Sequence, residues 1–308
     1  MVRARSGDRR ALARLITLVE NGSDEGDQIL ADLYPDTGRA WIAGVTGAPG
    51  AGKSTLSDGL IATIRSDGSD VAVLAVDPSS PFSGGAILGD RVRMQEHIDD
   101  SGVYIRSLAS RGQLGGISEG TPRALTVLDG IGFPEILVET VGVGQAEVDI
   151  AGKADTAVVV LNPRWGDSVQ AAKAGLLEIG DVFVVNKADR PGVDDTIRDL
   201  RQMLELGGER EWWPPIVPTV ATRGEGITDV WVAVADHRRH LEEGGRLEAR
   251  RRARLVDEVR EAVGAAVRRR VRGRLDDQAW TKLIDEVAQR SLDPWAAARR
   301  ITDLIAAG

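Results

Sequence analysis

Cysteine is absent from the 308 residues, which excludes disulfides and every metal site built on thiolates. Histidine occurs only at His97, His237 and His240. These show no ligand spacing among themselves, so each reads as a surface or helix residue, and no Ser/His/Asp triad is apparent. No apolar run is long enough to span a bilayer. The opening Met1-Val-Arg-Ala-Arg-Ser6 lacks the apolar core of a signal peptide, so the expectation is a cytoplasmic protein without a membrane partner. Lysine is scarce: Lys53, Lys153, Lys173, Lys187 and Lys282 are the only ones. A formal net charge of −8 argues against nucleic-acid binding overall, although one arginine-rich region runs the other way. With 42% hydrophobic and 28% charged residues, the chain has the composition of an ordinary globular protein with one large domain and helical additions.

What is present is a phosphate-binding signature. Gly47-Ala48-Pro49-Gly50-Ala51-Gly52-Lys53-Ser54 satisfies G-x-x-x-x-G-K-[ST] between the apolar run Trp41–Val45 and the helix-compatible run Thr55–Ile64. That strand–loop–helix setting gives the motif its meaning. The glycines let backbone N–H groups converge on an anion, and the helix N-terminus adds its positive end. Lys53 reaches the outer phosphates and Ser54 ligates Mg²⁺ in such loops. The bland alternative is a glycine-rich turn that merely starts a helix.

The pattern predicts an α/β fold, a P-loop NTPase with a largely parallel sheet covered by helices on both faces. Candidate strands are Trp41–Thr46, Val71–Val76, Val103–Ser107, Glu135–Glu139, Thr156–Leu161, Val182–Asn186 and Ile216–Val220. Helices are expected over Ser54–Arg65, Pro122–Gly130, Val169–Ile179, Asp194–Leu206 and Ile227–His240. Residues 1–36 read as an N-terminal helical extension, 37–243 as the nucleotide domain, and 244–308 as a tail of three helices over Arg246–Arg274, Asp276–Gln289 and Pro294–Ala307.

Further motifs close other apolar strands. Asn186-Lys187-Ala188-Asp189 matches N-K-x-D. There an Asp carboxylate accepts from guanine N1–H and the exocyclic amine, while the Asn supports base and loop. Adenine would leave that carboxylate unpaired, which is the kind of mismatch that discriminates strongly. The ligand expected is therefore GTP or GDP. Glu139 ends its strand three residues before Gly142, where many GTPases carry an Asp that holds Mg²⁺ through water. Asp77 in Val76-Asp-Pro-Ser-Ser-Pro81 is a candidate for orienting the attacking water, and Asp90 for touching Mg²⁺ from a loop. Structurally these stretches also read as plain turns. Arg111-Gly-Gln-Leu-Gly-Gly116 reads as a connector.

Together, Gly44–Thr55, Val76–Pro81, Ile87-Leu-Gly-Asp-Arg91, Arg111–Gly116, Glu139-Thr-Val-Gly-Val-Gly-Gln145 and Asn186–Asp189 resemble the GTPase chaperones of adenosylcobalamin-dependent methylmalonyl-CoA mutase, the MeaB/ArgK type. The resemblance covers residues 8 to 243 well and the tail more loosely. It implies a GTPase of the signal-recognition/MinD/BioD-like class with a C-terminal dimerisation arm. Intrinsic hydrolysis is slow in such proteins and is coupled to mutase protection and cofactor loading. Carried over by position, Gly47, Gly50, Ala51, Gly52, Lys53, Ser54 and Thr55 cradle phosphate. Asn186, Lys187, Asp189 and Ala221 serve the base. Ser54, Asp77, Asp90 and Glu139 surround Mg²⁺, with Lys53 and Asp77 as the catalytic pair. Gly166–Lys173 matches the family's additional switch. Two departures stand out: Asn162-Pro163-Arg164-Trp165 replaces a Pro-Gly-Ala type of lead-in, and Thr219-Val-Ala-Thr222 stands where Ser-Ala is usual.

Competing readings are an ATP-dependent kinase of the arginine/ornithine transport type and a nucleic-acid-binding scaffold. Asn186–Asp189 speaks against the first. The second rests on the arginines of 246–274, which acidic residues interrupt and no aromatic accompanies. A MinD/ParA-type ATPase needs lysine where this chain has Ala48.

Overall fold

The computed structural model describes residues 1–77, 97, 99–109, 120–140, 146–163, 175, 177–274 and 276–306. Among the described residues, seven strands form one sheet in the order β3-β2-β4-β1-β5-β6-β7. They are β1 (Trp41–Gly47), β2 (Val71–Asp77), β3 (Val103–Ala109), β4 (Glu135–Thr140), β5 (Thr156–Leu161), β6 (Val182–Asn186) and β7 (Ile216–Thr219). Every pairing is parallel. The helices are α1 (Val2–Arg5), α2 (Arg9–Glu20), α3 (Asp24–Leu33), α4 (Lys53–Ser66), α5 (Gly120–Ile131), α6 (Ala146–Lys153), α7 (Val193–Leu206), α8 (Ile227–Glu242), α9 (Arg246–Arg274), α10 (Asp277–Ala288) and α11 (Pro294–Ala306).

The strands carry continuous apolar runs because both sheet faces are buried. Side chains alternate between faces. Ile42, Leu74, Ile136 and Val138 therefore pack with Leu12, Ile16, Val19 and Leu33 of α2–α3 and Leu125 and Leu128 of α5. Trp41, Val45, Val73 and Val158 turn the other way, onto Leu56, Leu60 and Ile64 of α4 and Val230 and Val234 of α8. Phe183 packs with Leu200 and Leu204 of α7.

The amino-terminal helices thus share a core with the sheet. Asp8 caps α2 by accepting from the Arg10 and Ala11 N–H groups, and Ser23 caps α3. The Asp129 carboxylate then receives the N–H groups of Gly38, Arg39 and Ala40, fixing the entry into β1.

Two compact units result, Met1–Arg251 and Arg252–Gly308. Within the first, Arg250 pairs with Asp181 at 2.6 Å and Arg251 with the fully buried Asp155 at 2.8 Å. These two arginines of the basic stretch are internal latches. In the second unit α9 exposes Val256, Val259, Val263 and Val267. Among the described residues, no helix is long and apolar enough to cross a membrane. His237 lies on α8, as expected of a helix residue, but is buried. Its Nδ1 is 2.9 Å from Thr156 Oγ1, and burial pushes its pKa down to about 4.

Candidate guanine-nucleotide site

The central strand β1 lies between β4 and β5, and connections leave toward opposite sides of the sheet on either side of it. Crevices at the carboxyl ends of such strands are where open α/β sheets bind ligands. Gly47 ends β1 with φ 134°, and a Cβ there would lie 2.1 Å from the Val160 carbonyl oxygen. Only glycine allows this close approach. Gly52, at φ 94°, is the N-cap of α4 and gives that helix no side-chain cap. Gly52 itself thus brings no side chain to the helix N-terminus, the kind of helix start at which anions bind.

Lys53 curls back over this loop. Its buried ammonium donates to the carbonyls of Gly47 at 2.6 Å and Ala48 at 3.1 Å. Beside it, Ser54 Oγ donates to Glu139 Oε1 at 2.6 Å, and Glu139 is 1% exposed. A hydroxyl and a carboxylate brought together at the head of α4 are hard oxygen donors of the kind Mg²⁺ takes alongside phosphate and water. Among the described residues, no cluster of three histidine or acidic side chains forms a metal cage of its own. Thr55 follows in the first turn of α4.

The N-K-x-D segment is bolted to this loop. Asn186 Nδ2 donates to the Ala51 carbonyl at 2.8 Å, while its Oδ1 accepts from Thr219 Oγ1 and the Ala221 N–H, both at 3.1 Å. Lys187, at φ 61°, donates from Nζ to the Gly50 carbonyl at 2.6 Å. A Cβ on Gly52 would sit 2.2 Å from Asn186 Nδ2, a second reason for glycine there. Asp189 is exposed, and its Oδ2 accepts from Arg223 Nη2 at 3.2 Å.

The remaining expected residues are placed in part. Asp77 is the last residue of β2, whose neighbour β4 pairs Ala75 with Glu139 and Val76 with Thr140. The two strands thus bring the backbones of Asp77 and Glu139 to the same sheet end. The Asp77 side chain, Asp90, Gly142–Gln145, Arg111–Gly116 and Gly166–Lys173 lie outside the described residues.

Two contacts were not anticipated from sequence. Arg223 reaches Asp189, and Asn162 Nδ2 lies 3.4 Å from the Gly50 carbonyl. The signals were a cation immediately after Thr219–Thr222 and an amide at the end of β5. At the opposite end of the strands, a cavity of about 220 Å³ is lined by Trp41, Glu135, Trp231 and Arg238. There burial pushes the Glu135 carboxyl up to about 7, against the pull of Arg238.

Residues 12–276 match the family model described as methylmalonyl Co-A mutase-associated GTPase MeaB. A protein of Pyrococcus horikoshii classed among GTPases is 50% identical over 98% of this chain and 96% of its own length. The methylmalonic aciduria type A homolog of Mus musculus, mitochondrial by its name, is 35% identical over 80% of this chain and 64% of its own. The solved structure of a LAO/AO transport system kinase superposes with a TM-score of 0.68 at 29% identity, covering 98% of this chain and 95% of that one. The phosphate loop, the N-K-x-D staple and these matches agree: the chain belongs to the MeaB family of mutase-associated GTPases and is a GTP hydrolase.

Proposed function

We propose that this GTPase is a cytoplasmic, Mg²⁺-dependent chaperone and regulator of an adenosylcobalamin-dependent acyl-CoA mutase, with methylmalonyl-CoA mutase as the first partner to test. GTP binding and hydrolysis would be coupled to cofactor loading and to protection of the mutase. The observation that carries this reading is the match of residues 12–276 to a family named for that association.

Within the site, Gly47, Gly50, Ala51, Gly52 and Thr55 supply the phosphate cradle. Lys53 exchanges its two loop carbonyls for the outer phosphates when nucleotide enters. Ser54 and Glu139, with Asp77 and Asp90, would hold Mg²⁺. When bound, the ion supplies neutralising charge to the outer phosphates. Asp77 orients the water that attacks the γ-phosphate in line. Asp189 reads guanine, Ala221 lies against the base, and Asn186 and Lys187 hold the base loop on the phosphate loop. The row Val256, Val259, Val263 and Val267 recurs at three- and four-residue spacing along one stripe of α9. That apolar stripe supports reading 244–308 as the arm of a homodimer.

The experiment is capture on the full-length tagged chain from extracts of its source organism, charged with a non-hydrolysable GTP analogue or with GDP. Recovery of a cobalamin-dependent acyl-CoA mutase in a nucleotide-dependent amount, and slower inactivation of that purified mutase, is the expected result. ATP-dependent phosphorylation of arginine or ornithine, with no effect on any mutase, would contradict it.

A further inference from the structure

The two loops of the base site are stapled directly to each other. Ala188 N donates to the Thr219 carbonyl at 2.9 Å, and Thr219 Oγ1 and Ala221 N both donate to Asn186 Oδ1. The turn beyond is equally fixed. Arg223 N donates to the Val220 carbonyl at 2.8 Å and Val220 N to the Glu225 carbonyl at 3.0 Å, with Gly224 and Gly226 both at positive φ. Those links leave the Asp189 carboxylate alone. One contact uses it: Arg223 Nη2 to Asp189 Oδ2 at 3.2 Å.

We propose that Arg223 tunes the guanine affinity of the base site: its guanidinium pairs with the Asp189 carboxylate, and guanine binds by displacing it. This deepens the assignment of Asp189 as the guanine reader and rests on it. The chemistry matches on both sides. The N1–H and 2-amino edge of guanine is a planar pair of donors, as is the edge of a guanidinium, and a carboxylate accepts either. Adenine lacks that edge, so it has nothing with which to replace Arg223. The displaced side chain also has somewhere to go, since Nη1 already lies 3.6 Å from Glu225 Oε1. Both partners are exposed, at 58% and 39%, so the competition is modest and the base still enters.

The test is equilibrium binding of fluorescent GDP to the full chain and to Arg223→Ala and Arg223→Lys, at low and high salt. An exposed ion pair of this kind predicts tightening of roughly two- to fivefold in Arg223→Ala at low salt. The difference should shrink at high salt as the pair is screened, and Arg223→Lys should stay near wild type. In an Asp189→Asn background probed with XDP, Arg223→Ala should change nothing. Equal or weaker GDP binding by Arg223→Ala at low salt, or the same change in both backgrounds, overturns the proposal. Asp189→Asn that still prefers GDP to XDP overturns the base-site assignment itself, whatever Arg223 does.

Discussion

Ser54 Oγ donates a 2.6 Å hydrogen bond to Glu139 Oε1 across 85 residues of sequence. The contact joins the first turn of α4 to the end of β4, two strands' worth of chain that meet only because β1 and β4 pair in register, Val45 beside Glu139. A hydrogen bond to a charged group contributes roughly 1.5–3 kcal/mol. Glu139→Gln keeps the shape and removes the charge. We expect it to cut the gain in GTP affinity that Mg²⁺ provides by roughly tenfold or more, while binding of GDP in chelator stays within a few-fold of wild type. Titrations of nucleotide with and without Mg²⁺ check this, and an unchanged Mg²⁺ dependence removes Glu139 from the metal site.

Lys53→Ala removes the buried ammonium that donates to the Gly47 and Ala48 carbonyls of the phosphate loop. Deleting a donor aimed at developing charge in a water-poor site lowers turnover by roughly 10²–10³. The same loss is expected here, with the circular dichroism spectrum preserved. Turnover at the wild-type rate would refute the placement of Lys53 on the phosphates.

Gly52→Ala is expected to act through two causes at once. The left-handed backbone costs about 1–2 kcal/mol with a Cβ present, and that Cβ meets Asn186 Nδ2 at 2.2 Å. Displacing Asn186 loosens the base loop as well as the phosphate loop. The variant should therefore show a lower Tm and weaker GDP binding together. Loss of Tm alone would indicate that the two loops are not coupled through this contact.

Glu135 gives a pH signature far from the nucleotide. Burial pushes its carboxyl from an ordinary 4.5 up to about 7. Its folded pKa is raised, so its favourable contribution is complete below 4.5 and is lost as pH rises through 7. His237 has the opposite sign. Burial pushes it from 6.5 to about 4, so its contribution is complete above 6.5 and is lost as pH falls through 4. Glu135→Gln should raise stability at pH 8 relative to pH 5, by up to about 3 kcal/mol compared with wild type. Urea denaturation at the two pH values measures it, and a difference independent of pH contradicts the assignment.

The sheet was legible in the sequence because its strands are short, continuous apolar runs, and the expected seven fall within two residues of those found. Residues 146–153 were not anticipated as a helix, since Ala146–Lys153 is short and its apolar spacing is weak. The places of Gly47, Gly52, Lys53 and Asn186, at strand ends and at the head of α4, were legible because the G-x-x-x-x-G-K-[ST] and N-K-x-D patterns follow apolar runs. Their contacts with one another were not. Asn186 holding Ala51, and Lys187 holding Gly50, depend on β6 standing two strands from β1. Arg223 carries no motif, and its meeting with Asp189 follows from the pairing of β6 with β7. Likewise the buried state of His237 comes from Trp212, whose ring centroid lies 5.0 Å away, and from Asp181.

The central claim is that one site, built from the ends of β1, β4 and β6, selects guanine through Asp189. Competition of GTP, XTP and ATP for the full chain, wild type against Asp189→Asn, tests it most directly. The account predicts that wild type takes GTP over XTP and ATP, and that the variant exchanges GTP for XTP because an amide now faces the base where a carboxylate stood. A variant that keeps its preference for GTP would contradict the account.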